Sequence, residues 1–475
     1  MSDTKRSKPI SRRNFIATTG VLATGSILAN PIHSFMEGSS SKKIRLALVG
    51  TGKRGTGMFG ETLKNQYSDY VEFVGLSDKN IGRLKYAQKY IGTDCPIFTD
   101  FEEMMRTTKP DVLVVTTTDS THDTFIIKGM EMGADIISEK PMTTDEHKCQ
   151  AILDAEKRTG KKVTVTFNYR YAPYKMKIKE LMMEKRVGDI VSVDFHWYLN
   201  TYHGASYFRR WHGERKNSGT LLVHKSTHHF DLLNWWLDSE PEMVFALGDL
   251  EFYGKNNSFR GNRCLDCEFK TECGDYYYDI KTRSHNMKLY VENEKYDGYI
   301  HDGCIWRKNI DIYDKMSLQI KHANKVLTNY SLTTYSPYEG FRISFNGTKG
   351  RIEAWEGIPW QNNNRDQRNV YATEMSQKKD AKTKKYDPIM VMDNFGEYEE
   401  IRVPHYSGGH GGGDSRLLNY LFINPDAPDP LGLNAGTRDG SMSILTGIAA
   451  RNSIESKKPI FVNDLTDLTP RAKKR

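Results

Sequence analysis

No apolar run in this 475-residue chain is long enough to be read as a stable membrane span, because a spanning helix needs about 20 consecutive apolar residues. Basic excess is missing from the body as well. The formal charge is +8, but five basic residues against one acidic in the first 36, and four basic residues after Pro470, account for all of it. A nucleic-acid groove would need that excess inside the fold, so nucleic acid is excluded as a partner. Internal repeats are absent. Cysteine is scarce too: of six, Cys95 and Cys149 stand alone and read as buried thiols. The other four, Cys264, Cys267, Cys273 and Cys304, gather in one polar, Tyr-rich region. There the spacing leaves three readings open: a structural zinc, disulfides or free thiols.

The first 36 residues are set aside as a leader. Ser11-Arg12-Arg13-Asn14-Phe15-Ile16 opens a mildly apolar run over 16–29, the form of a twin-arginine export signal. No cysteine follows that run, which argues against lipid attachment. The expected destination is the periplasm, reached already folded.

From 43 to 167 short apolar stretches (44–49, 71–76, 112–116, 136–138, 163–167) alternate with helix-like segments. That order predicts a doubly wound parallel sheet with helices on both faces, an α/β Rossmann domain. From 168 to 465 the strands lengthen and alternate apolar with polar residues, which predicts an α/β domain with a large open antiparallel sheet. Segments 253–310 and 356–412 are polar and are expected to be irregular insertions.

The first predicted strand runs into Gly50-Thr51-Gly52-Lys53-Arg54-Gly55 and then into a predicted helix. In that setting Gly50 allows a tight turn, Gly52 admits a pyrophosphate and Gly55 lets helix and strand pack closely. The helix N-terminus then offers free amides to phosphate. Asp78 ends the next strand, 23 residues past Gly55. Its carboxylate suits a ribose diol and repels a 2′-phosphate, which favours NAD over NADP, although Lys79 and Arg83 blur the preference. Thr117, Thr118 and His122 follow the strand ending near 115, and Glu139-Lys140-Pro141 follows the next. Both lie where strand carboxyl ends face a ligand.

A second cluster, 219–231, places His224, His228 and Asp231 on one helical face at spacings of four and three, with Lys225 and His229 alongside. A neutral imidazole near pH 7 is suited to accept a hydroxyl proton. His224 and His228 also have the spacing of a metal pair, which Lys225 disfavours. Tyr207, Arg209 and Trp211 lie in a stretch of aromatic, guanidinium and imidazole groups suited to carbohydrate. The glycine-rich 406–414, with His410 and Asp414, opens a late helix and reads as a mobile cover.

Taken together, the Gly-rich turn, Asp78, the Thr-rich strand end with His122, Glu139-Lys140-Pro141, Asn168-Tyr169-Arg170, Gly188-Asp189-Ile190 and Gly347-Thr348-Lys349-Gly350 resemble the glucose-fructose oxidoreductase / inositol dehydrogenase (Gfo/Idh/MocA) family. The resemblance covers nearly all of the chain after the leader. It implies a Rossmann domain followed by a domain whose open sheet mediates homo-oligomerisation, and oxidation or reduction of a sugar or polyol with NAD(P). It also implies a cofactor set of Gly50, Gly52, Lys53, Arg54, Gly55, Asp78, Thr117, Thr118, His122, Glu139, Lys140 and Asn168. Lys140 is implied to contact both nicotinamide and substrate hydroxyl. His228 is implied to be the general base, with His224 and Lys225 completing the site. His224 stands where the family has Asp, a departure that leaves the proton relay open. Arg170, Tyr207, Arg209, Trp211 and His229 are placed on the substrate side. Some relatives keep NAD bound and cleave glycosides through a transient keto-sugar. An exported chain, cut off from free NAD, makes that the second reading.

Overall fold

The computed structural model describes residues 42–359, 386–406 and 408–474. Residues 43–475 group as one body, separate from 1–42, and the leader expected over 1–36 lies outside the described residues. No helix among the described residues is long and apolar enough to cross a membrane.

Six parallel strands form the first sheet: β1 (Ile44–Val49), β2 (Val71–Ser77), β3 (Ile97–Phe98), β4 (Val112–Val115), β5 (Asp135–Ser138) and β6 (Val163–Val165), in the order β3-β2-β1-β4-β5-β6. Strand β1 shows why both faces are covered. Leu46 and Leu48 pack on one side against Phe59, Leu63 and Leu84. Ala47 and Val49 pack on the other against Ile126, Met130 and Ile152. Such near-continuous apolar strands are what a parallel sheet requires. The strand order reverses between β1 and β4, and a crevice forms at their carboxyl ends. The Gly-rich turn, Asp78, Thr116 to Asp119, and Glu139 with Lys140 all sit at that end.

The second sheet has nine strands in the order β14-β13-β12-β11-β7-β10-β9-β8-β15. They are β7 (Ile190–Asn200), β8 (Pro241–Asp249), β9 (Lys315–His322), β10 (Leu327–Ser336), β11 (Gly340–Gly347), β12 (Gly350–Glu356), β13 (Tyr386–Asp393), β14 (Tyr398–Pro404) and β15 (Ile460–Phe461). Val193, Phe195, Trp197 and Leu199 of β7 point inward to the core. Helices Ser226–Trp236 and Thr437–Ser456 cover that inner face. The predicted α/β class with a second large sheet is what the chain adopts, with two corrections. The sheet is mixed, because β10 runs parallel to β7 while the other pairs are antiparallel. Part of the expected irregular segment 356–412 is instead the hairpin β13–β14, which extends the sheet past β12. Its polar surface residues hid a period-two pattern that buries Asp387, Ile389, Val391 and Val403. Residues 253–310 do form short helices and turns, and their second half returns to the first sheet.

Candidate active site

Two glycines of the turn are fixed by contact. Gly50 has φ +93°, and a Cβ there would lie 2.6 Å from the Thr116 carbonyl carbon. A Cβ on Gly55 would lie 2.2 Å from the Gly50 carbonyl oxygen. Gly52 differs: the one atom a Cβ would meet is the Tyr290 hydroxyl, at 3.4 Å. The turn is therefore packed on its strand side, while on its ligand side only the Tyr290 hydroxyl stands close, accepting from the Lys53 amide. The backbone forms a cradle of the kind that receives a dinucleotide pyrophosphate. Asp78 braces it. Its Oδ2 accepts from the Thr51 amide (2.8 Å) and hydroxyl (3.1 Å), and its Oδ1 accepts from the Asn80 amide (2.9 Å).

Thr117 and Thr118 lie half-buried just past β4, and the Thr117 hydroxyl accepts from Thr121 Oγ1 at 2.9 Å. His122, expected to touch the cofactor, is a brace instead. Its ring is buried, with Nδ1 2.8 Å from the Pro141 carbonyl and Nε2 3.2 Å from that of Thr117. Burial lowers its pKa against the opposing pull of the two carbonyls, and as a neutral ring it donates to one of them while lying against the other.

Lys140 and the helix carrying the histidines meet here. Lys140 Nζ donates to the His224 carbonyl at 3.0 Å. Burial depresses its ammonium to about 8 against the opposing pull of Asp119 and Glu139. Gly219 and Thr220, with φ +68° and +89°, turn the chain sharply into Leu221–His224 and then Ser226–Trp236. Every residue of the latter helix is buried, so the polar groups on it face other protein groups or the crevice.

The carboxylate absent from position 224 comes from elsewhere. His224 Nδ1 lies 2.5 Å from Asp119 Oδ2, at the end of β4. Burial drives Asp119 well above the usual carboxylate value and His224 well below the imidazole value. Burial thus favours the uncharged form of each partner, and one short hydrogen bond joins them. Sequence reading passed over Asp119, since its partner is 105 residues away.

His228 is 3% exposed, and its Nδ1 has no partner among the described residues. The Tyr169 ring lies 4.5 Å from it and the His410 ring 6.1 Å. Burial, then Lys140 and Lys225, hold it well below the ordinary imidazole value. Lys225 Nζ donates to the Tyr169 hydroxyl at 3.3 Å. His410, a weaker candidate on sequence grounds, is brought in by its glycine neighbours. It has φ +55°, and its Nδ1 lies 3.0 Å from Asp414 Oδ1. Asn168 Nδ2 also donates to that oxygen, at 2.5 Å. Burial would raise the Asp414 pKa, but His410 and Arg54 outweigh it and hold the carboxyl well below the usual range. Arg54 in turn donates from Nε to Glu139 Oε1 at 2.6 Å. One chain of charges thus links the Gly-rich helix, the Glu-Lys-Pro loop and the late helix.

Of the residues placed on the substrate side, Tyr207 and Trp211 ring His224 at 5.3 and 5.7 Å. Arg209 turns away, donating to the Tyr276 carbonyl at 2.8 Å. Two expectations are corrected. Arg170 is fully buried and bonds Asp231 from Nε (2.8 Å) and Asp439 from Nη2 (3.0 Å). His229 stacks on Trp197 at 3.9 Å, with Nδ1 2.6 Å from the Tyr330 hydroxyl, inside the core. Polar residue type marked both as ligands; burial makes them structural.

The four clustered cysteines do line one cavity, with Phe269, Tyr276 and Trp306. All are free thiols, and among the described residues no three His, Cys, Asp or Glu side chains are arranged to hold a metal. Of the three readings left open there, structural zinc is not supported by this arrangement, and neither is the metal reading of His224 and His228.

Comparison with known proteins agrees with this geometry. Residues 44–167 match the family profile described as the oxidoreductase family, NAD-binding Rossmann fold, and residues 179–462 match the same family's C-terminal alpha/beta domain. The protein named YteT in Bacillus subtilis (strain 168) is 37% identical over 438 residues, spanning 88% of this chain and 98% of YteT. An inositol 2-dehydrogenase of Rubrobacter xylanophilus is 24% identical over 214 residues, 44% of this chain and 56% of its own. Among solved structures, the WlbA dehydrogenase of Chromobacterium violaceum, in complex with NADH and UDP-GlcNAcA, superposes with TM-score 0.58 at 18% identity. That match covers 89% of this chain and 97% of WlbA. An oxidoreductase domain protein from Kribbella flavida superposes with TM-score 0.62 at 13% identity, covering 89% of this chain and all of that one. The chain belongs to the Gfo/Idh/MocA family of NAD(P)-dependent oxidoreductases.

Proposed function

We propose that this chain oxidises a hydroxyl of a sugar or glycoside, or reduces the matching keto-sugar, with NAD as cofactor, after export to the periplasm as a homo-oligomer. The observation that carries the reading is the meeting of Lys140, His228 and the Asp119–His224 couple beside the Gly52 cradle. Sugar as substrate draws on relatives named as inositol dehydrogenases and on a neighbour solved with a UDP-sugar.

Gly52, Lys53 and Arg54 would hold the pyrophosphate, Asp78 the ribose, and Glu139, Lys140 and Asn168 the nicotinamide end. The dinucleotide, when bound, supplies a hydride acceptor or donor. His228, kept neutral by burial, takes the hydroxyl proton. Lys140, as ammonium, stabilises the alkoxide that this proton leaves behind, which becomes the carbonyl as hydride departs from its carbon. Asp119 fixes the His224 ring and, through the His224 carbonyl, the position of Lys140. Tyr207 and Trp211 offer aromatic faces to the sugar. The test is spectroscopic: the purified chain with NAD⁺ and a panel of cyclitols, aldoses and glycosides should generate absorbance at 340 nm. A protein that binds neither NAD⁺ nor NADH overturns the reading.

One observation favours a second reading. His410 with Asp414 gives a second proton carrier near His228. Redox-neutral cleavage needs one, to take the proton next to the transient carbonyl before the glycosidic bond breaks. Release of aglycone from aryl glycosides without added NAD⁺ would favour this path; accumulating NADH favours simple dehydrogenation.

A further inference from the structure

We propose that residues 284–301 of the insertion are the outer wall of the dinucleotide site, and that Asp297 there selects a ribose 2′-hydroxyl over a 2′-phosphate. The inference rests on the NAD reading above but concerns residues that neither the family motif nor the sequence pattern points to.

Three contacts place this wall. The Tyr290 hydroxyl accepts from the Lys53 amide at 2.8 Å, an N–H group at the helix start where pyrophosphate binds. Asn80, two residues past Asp78, donates from Nδ2 to the Asn293 carbonyl at 2.9 Å. A Cβ on Gly82 would fall 2.0 Å from Asn293 Oδ1, so the wall is seated directly on the helix that begins past Asp78. At the rim, His285 Nδ1 lies 3.0 Å from the Tyr86 hydroxyl. The wall therefore runs from the phosphate cradle to the ribose carboxylate.

Arg83 decides the selectivity. A guanidinium just beyond the ribose-binding Asp is the group that receives a 2′-phosphate in NADP-binding sites. Here Arg83 Nη2 is shared between Asp78 Oδ1 at 3.1 Å and Asp297 Oδ2 at 2.5 Å, with side-chain exposures of 8% for Arg83 and 5% for Asp297. One buried cation between two carboxylates leaves the local charge negative. A phosphate dianion brought there meets repulsion and an Nη2 already held by two carboxylates, while a ribose hydroxyl needs only one carboxylate acceptor. Removing the Asp297 charge leaves Arg83 paired with Asp78 alone, so the local charge falls to near neutral and a phosphate is no longer repelled.

NADH and NADPH titrations, followed by nicotinamide fluorescence, test this on the full chain. The wild type should prefer NADH. D297N should narrow the preference by about tenfold or more, equivalent to ~1.4 kcal/mol, through tighter NADPH binding, and D297E should restore it. A preference unchanged in D297N, or narrowed only by weaker NADH binding, overturns the inference and leaves the NAD reading standing. A wild type that binds neither nucleotide removes the NAD reading itself. Should D297N fail to fold, amide exchange of the wild-type chain decides. NADH should slow exchange over 284–301, and no change there overturns the wall.

Discussion

Burial pushes the Asp119 carboxyl up and the His224 imidazole down, and the 2.5 Å contact between them joins β4 to the catalytic helix. Asp119→Asn keeps the shape of the side chain but loses the carboxyl oxygen that holds His224 Nδ1. The expected outcome is a fall in kcat of about 10²-fold, the cost of misplacing Lys140, with KM nearly unchanged. Steady-state kinetics check it, and an unchanged kcat removes Asp119 from the machinery. The pH profile is set by the neighbours. His228 accepts a proton only when neutral, and its pKa lies well below the ordinary imidazole value because of burial, then Lys140 and Lys225. Oxidation should therefore persist at pH values below about 6.5, where an ordinary histidine would already be protonated. Lys140 loses its ammonium as pH rises through about 8, so kcat/KM should fall there. Lys140→Arg should carry that alkaline limb upward, because a guanidinium stays protonated past roughly pH 12. A limb that stays near pH 8 in the arginine variant assigns it to another group.

Among the elements, those whose signal is local were readable from sequence. Strand, Gly-rich turn and helix follow one another within 23 residues from Ile44 to Gln66, so each glycine's role could be argued from spacing alone. Lys140 and His228 were legible for a similar reason, since each sits in a short motif at a strand end or on a helix face. Pairings across the chain were not. Asp119 meets His224 from 105 residues away, and Tyr290 meets Lys53 from 237; neither leaves a mark on local patterning. Arg170 shows the opposite failure, because a charged residue in a polar motif looks like a ligand until its burial is known. It sits in the turn Asn168–Tyr171 and ties that element to helices Ser226–Trp236 and Thr437–Ser456 through Asp231 and Asp439. Arg170→Met leaves Asp231 buried without its main cation, at a cost of about 3–5 kcal/mol. Denaturant unfolding should show that loss, and adding Asp231→Asn should recover part of it. If Arg170→Met instead raises KM while stability holds, the substrate-side role returns.

On the scale of the whole molecule, the site is assembled from stretches far apart in the chain, and the ties between them should make the body 43–475 respond as a unit. Arg54 bridges Glu139 to Asp414, and the wall at 284–301 seats on the first sheet's helices. All seven tryptophans lie beyond residue 167, and Trp197, Trp235, Trp236 and Trp355 belong to the second sheet and the helix Ser226–Trp236, so tryptophan fluorescence reports chiefly on that part of the chain. A ligand held in the first domain at 100 times its Kd stabilises by about 2.7 kcal/mol. If the domains melt together, NADH should raise the tryptophan-detected midpoint as far as the one seen by far-UV circular dichroism. Asp414→Asn weakens both the Arg54 bridge and the His410 contact, and should reduce the shift seen by tryptophan more than that seen by circular dichroism. If NADH moves the circular dichroism midpoint while the wild-type tryptophan midpoint stays fixed, the two sheets unfold independently. In that case the Glu139–Arg54–Asp414 chain positions the site without coupling its halves.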